Sequence, residues 1–481
     1  MSMSLRTLLD DATVPDVILT DLVLDSRDAR PGSAFVAVPG TARDGRQFIA
    51  SALDNGAAAV LAEAGPELLD SDKRVIAVPG LKSRLGVMAD RFYGSPSEDL
   101  TLIAVTGTNG KTSVVDLTAQ LLRKTSGKTG SIGTLGMRTD QQPLEARNTT
   151  PDCFALQRQL RDWREQGVRF VTLEASSHAL DQGRLRGLRI DVVVFTNLSR
   201  DHLDYHRSMA RYCEAKLRLF EEFDPAVRIF NADDPSVAGQ SAVSRDGGVG
   251  ISANSHGAQV CFTVRQVAPL ALHVQTAWGD GDMATTLLGR FNAFNLTAAL
   301  TAVLSLGVPI TEALAAAESV QAVRGRLQSV DVEADITVLI DYAHTPDALE
   351  RALESLLESD RSGQIWVLFG CGGDRDRGKR AEMGAVACRL ADHVVVTSDN
   401  PRSESPEAII EDILQGCADQ APHVEVDRAR AIALVVSRAR PGDTVLIAGK
   451  GHEVYQEVDG VRSSFDDAHH AAEQLMLRSA A

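Results

Sequence analysis

The sequence is short of lysine. Of its 49 basic residues only eight are lysines, at positions 73, 82, 111, 124, 128, 216, 379 and 450. Arginine serves wherever a plain positive charge is enough, so a lysine inside a motif stands out as a residue wanted for its amine. Cysteine is scarce too. The six (Cys153, Cys213, Cys261, Cys371, Cys388 and Cys417) are scattered with no CxxC pair, and they read as reduced thiols of a cytoplasmic protein, mostly core filler. No run of about 18 apolar residues occurs, so no membrane span is expected. The first residues, "MSMSLRTLLDDATVPD", lack an apolar core and are not read as a secretory signal. Positive charge is in deficit: the net charge is −16. That disfavours nonspecific binding to nucleic acid or to an anionic membrane, and no nucleic-acid partner is expected.

What remains is an ordinary globular composition, 44% hydrophobic and 24% charged over 481 residues, enough for two to four domains. A polar break, "YGSPSEDL", closes a small N-terminal region in which short strands, turns and one helix ended by Gly56 alternate. Beyond it, apolar strands alternate with amphipathic helices. "LTLIAV" leads into a helix with Val114, Leu117 and Leu121 on one face, and "FVTLEAS" and "IDVVVFTNL" are further buried strands. After a second break near "QAVRGRLQSV" come "ITVLIDYAH", "QIWVLFGCGG", "HVVVTSDNP" and "DTVLIAGKG", each a strand running into a polar or glycine-rich loop. β-branched runs with intervening helices predict parallel sheets, and ligands bind at the carboxyl ends of such strands. The fold class is therefore α/β.

Three stretches carry chemistry. "GTNGKTS", Gly107 to Ser113, follows a strand and opens a helix. Its glycines allow close backbone approach, and the helix N-terminus supplies N–H groups for phosphates. Lys111 would reach the outer phosphates and the Thr112 hydroxyl would face Mg²⁺. Val105 stands where the strict pattern has its first glycine, and a glycine turn capping an ordinary helix is the plainer alternative. "TLEASSHALDQGR" ends a strand on Glu174, which with Thr112 gives the oxygen ligands Mg²⁺ prefers. "TNLSRDHLDYH" brings Asp201, His202, Asp204 and His206. Zinc on His202 and His206 is the rival there, without a third ligand at a convincing spacing. Lys216, on the helix of "YCEAKLRLF", reads from spacing alone as a surface lysine.

In order along the chain, "TGTNGKTS", "NTTPD", "EASSHAL", "TNLSRDHLDYH", "AKLRLF", "GRFNAFNLTAAL", "RGRLQ", "DYAHTPDAL", "FGCGGDRDRGKR", "TSDNPRSESP" and "AGKGHEVYQ" resemble the Mur ligases, the ATP-dependent amide ligases of peptidoglycan synthesis. That family writes its nucleotide loop as "GTNGKT" without the earlier glycine. The resemblance implies three domains: a small N-terminal α/β UDP-binding domain (1–97), a central P-loop ATPase domain with a parallel sheet (98–325), and a C-terminal Rossmann-like α/β domain (326–481). "DNPR" with "GCGGDRD" and "GKGHE" is similar to members that add meso-diaminopimelate to UDP-N-acetylmuramoyl-L-alanyl-D-glutamate. A cytoplasmic monomer is the expectation.

The chemistry so implied suits the residues. A free carboxylate does not react with an amine at neutral pH, but an acyl phosphate made from ATP does. That transfer needs positioning and charge neutralisation more than a protein nucleophile. By motif, ATP contacts fall to Gly107, Thr108, Asn109, Gly110, Lys111, Thr112 and Ser113, with Asn292 and Asn295 near adenine and Arg326 and Asp341 from the third domain. The family pattern makes Lys111, Glu174, His202 and Lys216 catalytic. It places metal on Thr112, Glu174, His202 and Lys216, the last as a carbamate (N6-carboxylysine). Leu24, Ser26, Thr41, Ala42, Arg43, Asn148, Thr149, Thr150, Ser176, Gln182 and Arg184 match contacts to the UDP-sugar peptide. Arg375, Asp399, Asn400, Pro401, Arg402, Gly449 and Glu453 match the diaminopimelate pocket. The competing readings are L-lysine as the amino acid, a folylpolyglutamate-synthase-like ligase, and a nucleotide-dependent switch with no ligase chemistry.

Overall fold

The strands expected from the apolar runs form, and their register decides where their loops emerge. In the computed structural model, which describes residues 2–40, 43–65, 72–139, 148–245, 247–253, 257–359, 362–417 and 421–479, the chain divides into two compact units. The first comprises Met1–Thr106, Ser126–Val194 and Glu214–Arg228, and the second Gly107–Thr125, Phe195–Cys213 and Ile229–Ala481. These seams differ from the boundaries expected from the sequence breaks.

The first unit holds an all-parallel four-stranded sheet, in the order Asp21–Val23, Ser33–Ala37, Ala59–Glu63, Val75–Val78. Ser33–Ala37 is buried along its whole length, because apolar layers cover both faces of the sheet. One includes Leu22, Val36, Leu61 and Phe92, the other Phe35, Val60 and Ala52. In the same unit Phe170–Glu174 pairs in parallel with Thr101–Thr106 on one side and Thr129–Gly133 on the other. The register sets Glu174 opposite Val105, so the carboxylate emerges at the strand's carboxyl end.

The second unit is organised on a six-stranded sheet, in the order Gln328–Ser329, Thr337–Asp341, Thr444–Ala448, Ile365–Phe369, His393–Val396, His423–Val424. It is parallel except at Gln328–Ser329. Asp341 pairs with Ala448 and Phe369 with Val396. The four following loops therefore leave the sheet at one edge, where α/β proteins bind their ligands. The helices after two of them start alike. Thr345 caps Pro346–Leu357 and Ser405 caps Pro406–Leu414, each with proline in the first turn. The helix Lys111–Thr125 is buried almost all round rather than on one face, since Ser113, Val115, Asp116 and Leu122 are buried with Val114, Leu117 and Leu121. It packs against Arg290–Ser305, itself buried over most of its length.

Candidate active site

In the second unit the nucleotide loop is braced by its neighbours before any ligand is considered. Gly107 lies at φ +148° and Gly110 at φ +87°. A Cβ at Gly107 would overlap the Thr196 hydroxyl, and one at Gly110 would stand 2.7 Å from Asn295 Oδ1. Both positions thus require glycine for space as well as conformation. The Thr108 N–H donates to the Asn197 carbonyl at 2.9 Å, and the Asn109 N–H donates to Asn197 Oδ1 at 3.0 Å. The Lys111 ammonium curls over the loop and donates to the carbonyls of Gly107 and Thr108, 2.8 Å each.

Residues distant in sequence close on this loop. Arg326 Nη2 donates to Thr112 Oγ1 at 3.2 Å, and its guanidinium lies over the Tyr342 ring, 4.7 Å from the centroid. Asp341 accepts the N–H groups of Leu327 at 2.6 Å and Ala343 at 2.7 Å. Burial pushes its carboxyl upward, against the pull of Arg326. Asn292 and Asn295 are buried and bonded to each other at 3.1 Å. Asp347, at the start of the helix Pro346–Leu357, accepts from Asn109 Nδ2 at 2.8 Å and Ser199 Oγ at 3.3 Å. Asp347 and Asn197 were not among the sequence candidates, although both stand inside motifs singled out there.

His202 adopts φ +54°, and its N–H donates to Asp201 Oδ1 at 2.8 Å. Burial pushes the Asp201 carboxyl up, but His202, His344, Lys379 and the His202 N–H together hold it below the usual carboxylate range. Burial brings His344 down to about 4, so it is neutral at pH 7. His206 is buried against the rings of Tyr205 and Tyr212. Among the described residues no group of three or more His, Cys, Asp or Glu side chains is placed to hold a metal ion.

The loops expected to take the amino acid meet at the edge of the six-stranded sheet. A Cβ on Gly372 would lie 2.9 Å from Arg402 Nη1 and 3.8 Å from Arg375 Cγ, so the two arginines expected to bind carboxylate flank one glycine. Arg402 has φ +53°, costly for a side-chain-bearing residue. It is held there by its own N–H on the Glu457 carbonyl (3.0 Å) and by the Asp459 N–H on its carbonyl (2.7 Å). Asn400 Nδ2 donates to Glu453 Oε2 at 2.8 Å. Gly449 lies at φ +111°, where a Cβ would come within 2.6 Å of Asp399 Oδ2. Pro401 is buried beneath the turn. Lys450, missing from the sequence candidates, is fully buried at 0% exposure and donates to Asn400 Oδ1 at 3.1 Å. Its rarity was the signal, since it is one of eight lysines and lies within "GKGHE".

A buried arginine ties these loops together. Arg380, 1% exposed, bonds both Glu404 oxygens (2.8 and 3.0 Å), Asp412 (2.9 Å) and the Gly372 carbonyl (3.4 Å). Glu404 also accepts the Asp374 N–H at 2.6 Å. Its pKa is pushed down to about 2, first by the bonds from Arg380. A depressed carboxyl contributes stability above its unfolded pKa, and that contribution is lost as pH falls through the folded value. Glu404→Gln should therefore cost about 2–3 kcal/mol at pH 7. The gap to the unsubstituted protein should shrink between pH 5 and pH 2, read as urea midpoints across that range. A constant gap would show that Glu404 acts through packing alone.

The first unit carries its own group. Glu174, 1% exposed, accepts from the Thr134 N–H at 2.8 Å and the Thr134 hydroxyl at 3.2 Å. Thr149 meets Thr134 at 3.4 Å, and Thr150 bonds the Glu174 carbonyl at 2.7 Å and Ser176 Oγ at 3.1 Å. Arg184 donates to the Thr150 carbonyl at 2.7 Å and is braced by Gln182 at 2.7 Å. A cavity of about 660 Å³ is lined by Leu24, Ser26, Arg43, Asn148, Gln182 and Arg184, among others. It brings together six of the residues expected to contact the UDP-sugar peptide. Thr41 and Ala42 lie outside the described residues. Lys216, in the helix Met209–Glu221, is 1% exposed, which corrects its reading as a surface lysine.

The Mur ligase middle domain matches residues 105–303, the Mur ligase glutamate ligase domain residues 325–451, and the Mur ligase family catalytic domain residues 19–93. The chain belongs to the Mur ligase family. It is 46% identical to the UDP-N-acetylmuramoyl-L-alanyl-D-glutamate–2,6-diaminopimelate ligase of Pseudomonas aeruginosa, over 99% of this chain and 98% of that protein. To the ligase of the same name from Chromobacterium violaceum it is 45% identical, over 94% and 93% of the two chains. A solved structure of a ligase so named superposes with a TM-score of 0.69 at 34% identity, covering both chains completely. The MurF ligase of Thermotoga maritima in complex with ADP, at 19% identity, 95% and 97% coverage and a TM-score of 0.67, shares the fold.

Proposed function

We propose that the chain is an ATP-dependent amide ligase that adds meso-diaminopimelate to UDP-N-acetylmuramoyl-L-alanyl-D-glutamate through an acyl phosphate, releasing ADP and phosphate. The observation that carries this reading is the gathering of Arg375, Asp399, Asn400, Arg402 and Glu453 around Gly372 and Gly449. They stand in a chain nearly half identical, along its whole length, to a protein named for diaminopimelate. The same relatives weigh against lysine and against a folylpolyglutamate substrate.

In this reading the N–H groups of Gly107 to Ser113 take the phosphates. Lys111 leaves the carbonyls of Gly107 and Thr108 to reach the transferred group, and Arg326 stands beside Thr112 to share its charge. Asn292 and Asn295 line the adenine side, and Asp341 lies near the nucleotide. The cavity of the first unit takes the UDP-sugar peptide, with Thr149, Thr150 and Ser176 alongside. The Thr112 hydroxyl and the Glu174 carboxylate, both buried hard oxygens, fit Mg²⁺. His202 and a carbamate on Lys216 fit a second ion. Bound Mg²⁺ would neutralise the anions that must meet. Functionally the chain divides at 1–97, 98–325 and 326–481 and works as a cytoplasmic monomer. No helix among the described residues is long and apolar enough to cross a membrane.

The test is phosphate release with the UDP-linked dipeptide, ATP, Mg²⁺ and a panel of amino acids. Release that requires both the acid and diaminopimelate is the expected result. Release with ATP alone would return the chain to the class of nucleotide-dependent switches.

A further inference from the structure

Two of the eight lysines are buried, Lys216 and Lys450. The second has no role in the reaction as read so far. We propose that Lys450 is a positioning residue for the amino-acid substrate, locking the Asn400 amide so that its nitrogen faces Glu453. The proposal rests on the reading of that pocket as the amino-acid site.

An asparagine amide has nearly isosteric ends, and its hydrogen-bond partners decide which way it faces. Here Oδ1 accepts from Lys450 Nζ at 3.1 Å and from the Glu457 N–H at 3.0 Å, while Nδ2 donates to Glu453 Oε2 at 2.8 Å. The ammonium and the Glu457 N–H each admit only an acceptor, so together they fix the orientation. The ammonium also stands 3.7 Å from Glu453 Oε2 and 5.6 Å from the centroid of the Tyr455 ring, a face that stabilises a cation. Charge points the same way. Burial and Arg428 push the Lys450 ammonium down, and Asp399 and Glu453 pull the other way. The two carboxylates that attract this ammonium can also attract one ammonium of an incoming diamino acid. Without Lys450 the Asn400 oxygen keeps only the Glu457 N–H, and the Glu453 carboxyl loses a neighbouring cation that holds it down. The arrangement accounts for an amine at a site where the chain had arginine available in quantity.

Lys450→Met keeps length and apolar volume and removes charge and donors. Steady-state kinetics on the full chain should show KM for diaminopimelate raised roughly 10- to 100-fold. The KM values for ATP and the UDP-linked dipeptide should stay within about twofold, and kcat should fall by less than about threefold. Lys450→Gln, which keeps a donor, should recover part of the loss. A packing role would raise all three KM values together or lower kcat, and either result overturns the assignment. Failure of both variants to fold overturns it too, because Lys450 would then be structural. Arg402→Ala runs beside them. If it raises KM for diaminopimelate while Lys450→Met does not, the Lys450 proposal alone falls. If neither variant moves that KM, the reading of the pocket falls with it.

Discussion

Lys216→Ala is expected to lower kcat at least about a hundredfold, roughly 3 kcal/mol of transition-state stabilisation. A short carboxylic acid should restore part of the activity, and Lys216→Arg should be as inactive as the alanine variant. The side chain is 1% exposed on a helix whose neighbours Tyr212, Leu219 and Phe220 are also buried. Lysine offers what arginine does not, an amine that carbon dioxide converts to a carbamate, an anionic oxygen ligand. Arginine keeps the charge and adds donors, yet presents the wrong sign to a cation. Carbamylation is read directly as a ¹³C signal after equilibration with labelled bicarbonate, present in the unsubstituted protein and absent from both variants. Full activity of Lys216→Ala, or no rescue by any carboxylate alongside an unlabelled lysine, would leave Lys216 as a structural residue.

The two lysines separate what the sequence could disclose from what it could not. The strands after residue 98 were legible because β-branched apolar runs end on glycine or polar loops, and each formed as expected, from Thr101–Thr106 to Thr444–Ala448. The nucleotide loop was legible because its glycines answer to a local need, visible at Gly107 and Gly110. Burial of Lys216 was not legible, since a lysine between Tyr212 and Phe220 on one helix can be enclosed or can carry its ammonium to the surface, and only tertiary packing decides. Asp347 and Lys450 were overlooked for a related reason. Their partners, Asn109 and Asn400, lie 238 and 50 residues away, and no local pattern registers such a contact. The six-stranded sheet makes the second meeting possible, because its in-register strands deliver the loops after His393–Val396 and Thr444–Ala448 to one edge.

That edge is also expected to decide the choice between diaminopimelate and lysine, the second large effect. L-lysine has the distal ammonium but no distal carboxylate. In the diaminopimelate complex Arg375 and Arg402 would hold that carboxylate, and a paired arginine contact is strong and directional. Breaking such a contact costs about 2–5 kcal/mol when the arginine is left wholly unpaired. The geometry moves the expectation to the lower end. Arg402 Nη1 already donates to the Gly373 carbonyl at 2.7 Å, and Arg375 Nη1 to the Asp374 carbonyl at 3.2 Å. Neither guanidinium is therefore stripped of partners when lysine binds. Discrimination in kcat/KM should be about 2–3 kcal/mol, roughly 30- to 200-fold in favour of meso-diaminopimelate. Arg402→Ala should reduce kcat/KM for diaminopimelate much more than for lysine and bring the two within about tenfold. It removes a side chain whose backbone is pinned at φ +53° by bonds to Glu457 and Asp459, so the loop should keep its course. Thermal unfolding of the variant checks that point separately. Equal kcat/KM for the two amino acids in the unsubstituted enzyme would sink the carboxylate assignment and leave the ligase chemistry standing. A variant that lost both substrates alike would make Arg402 a prop for the "DNPR" turn rather than a reader of the substrate's far end.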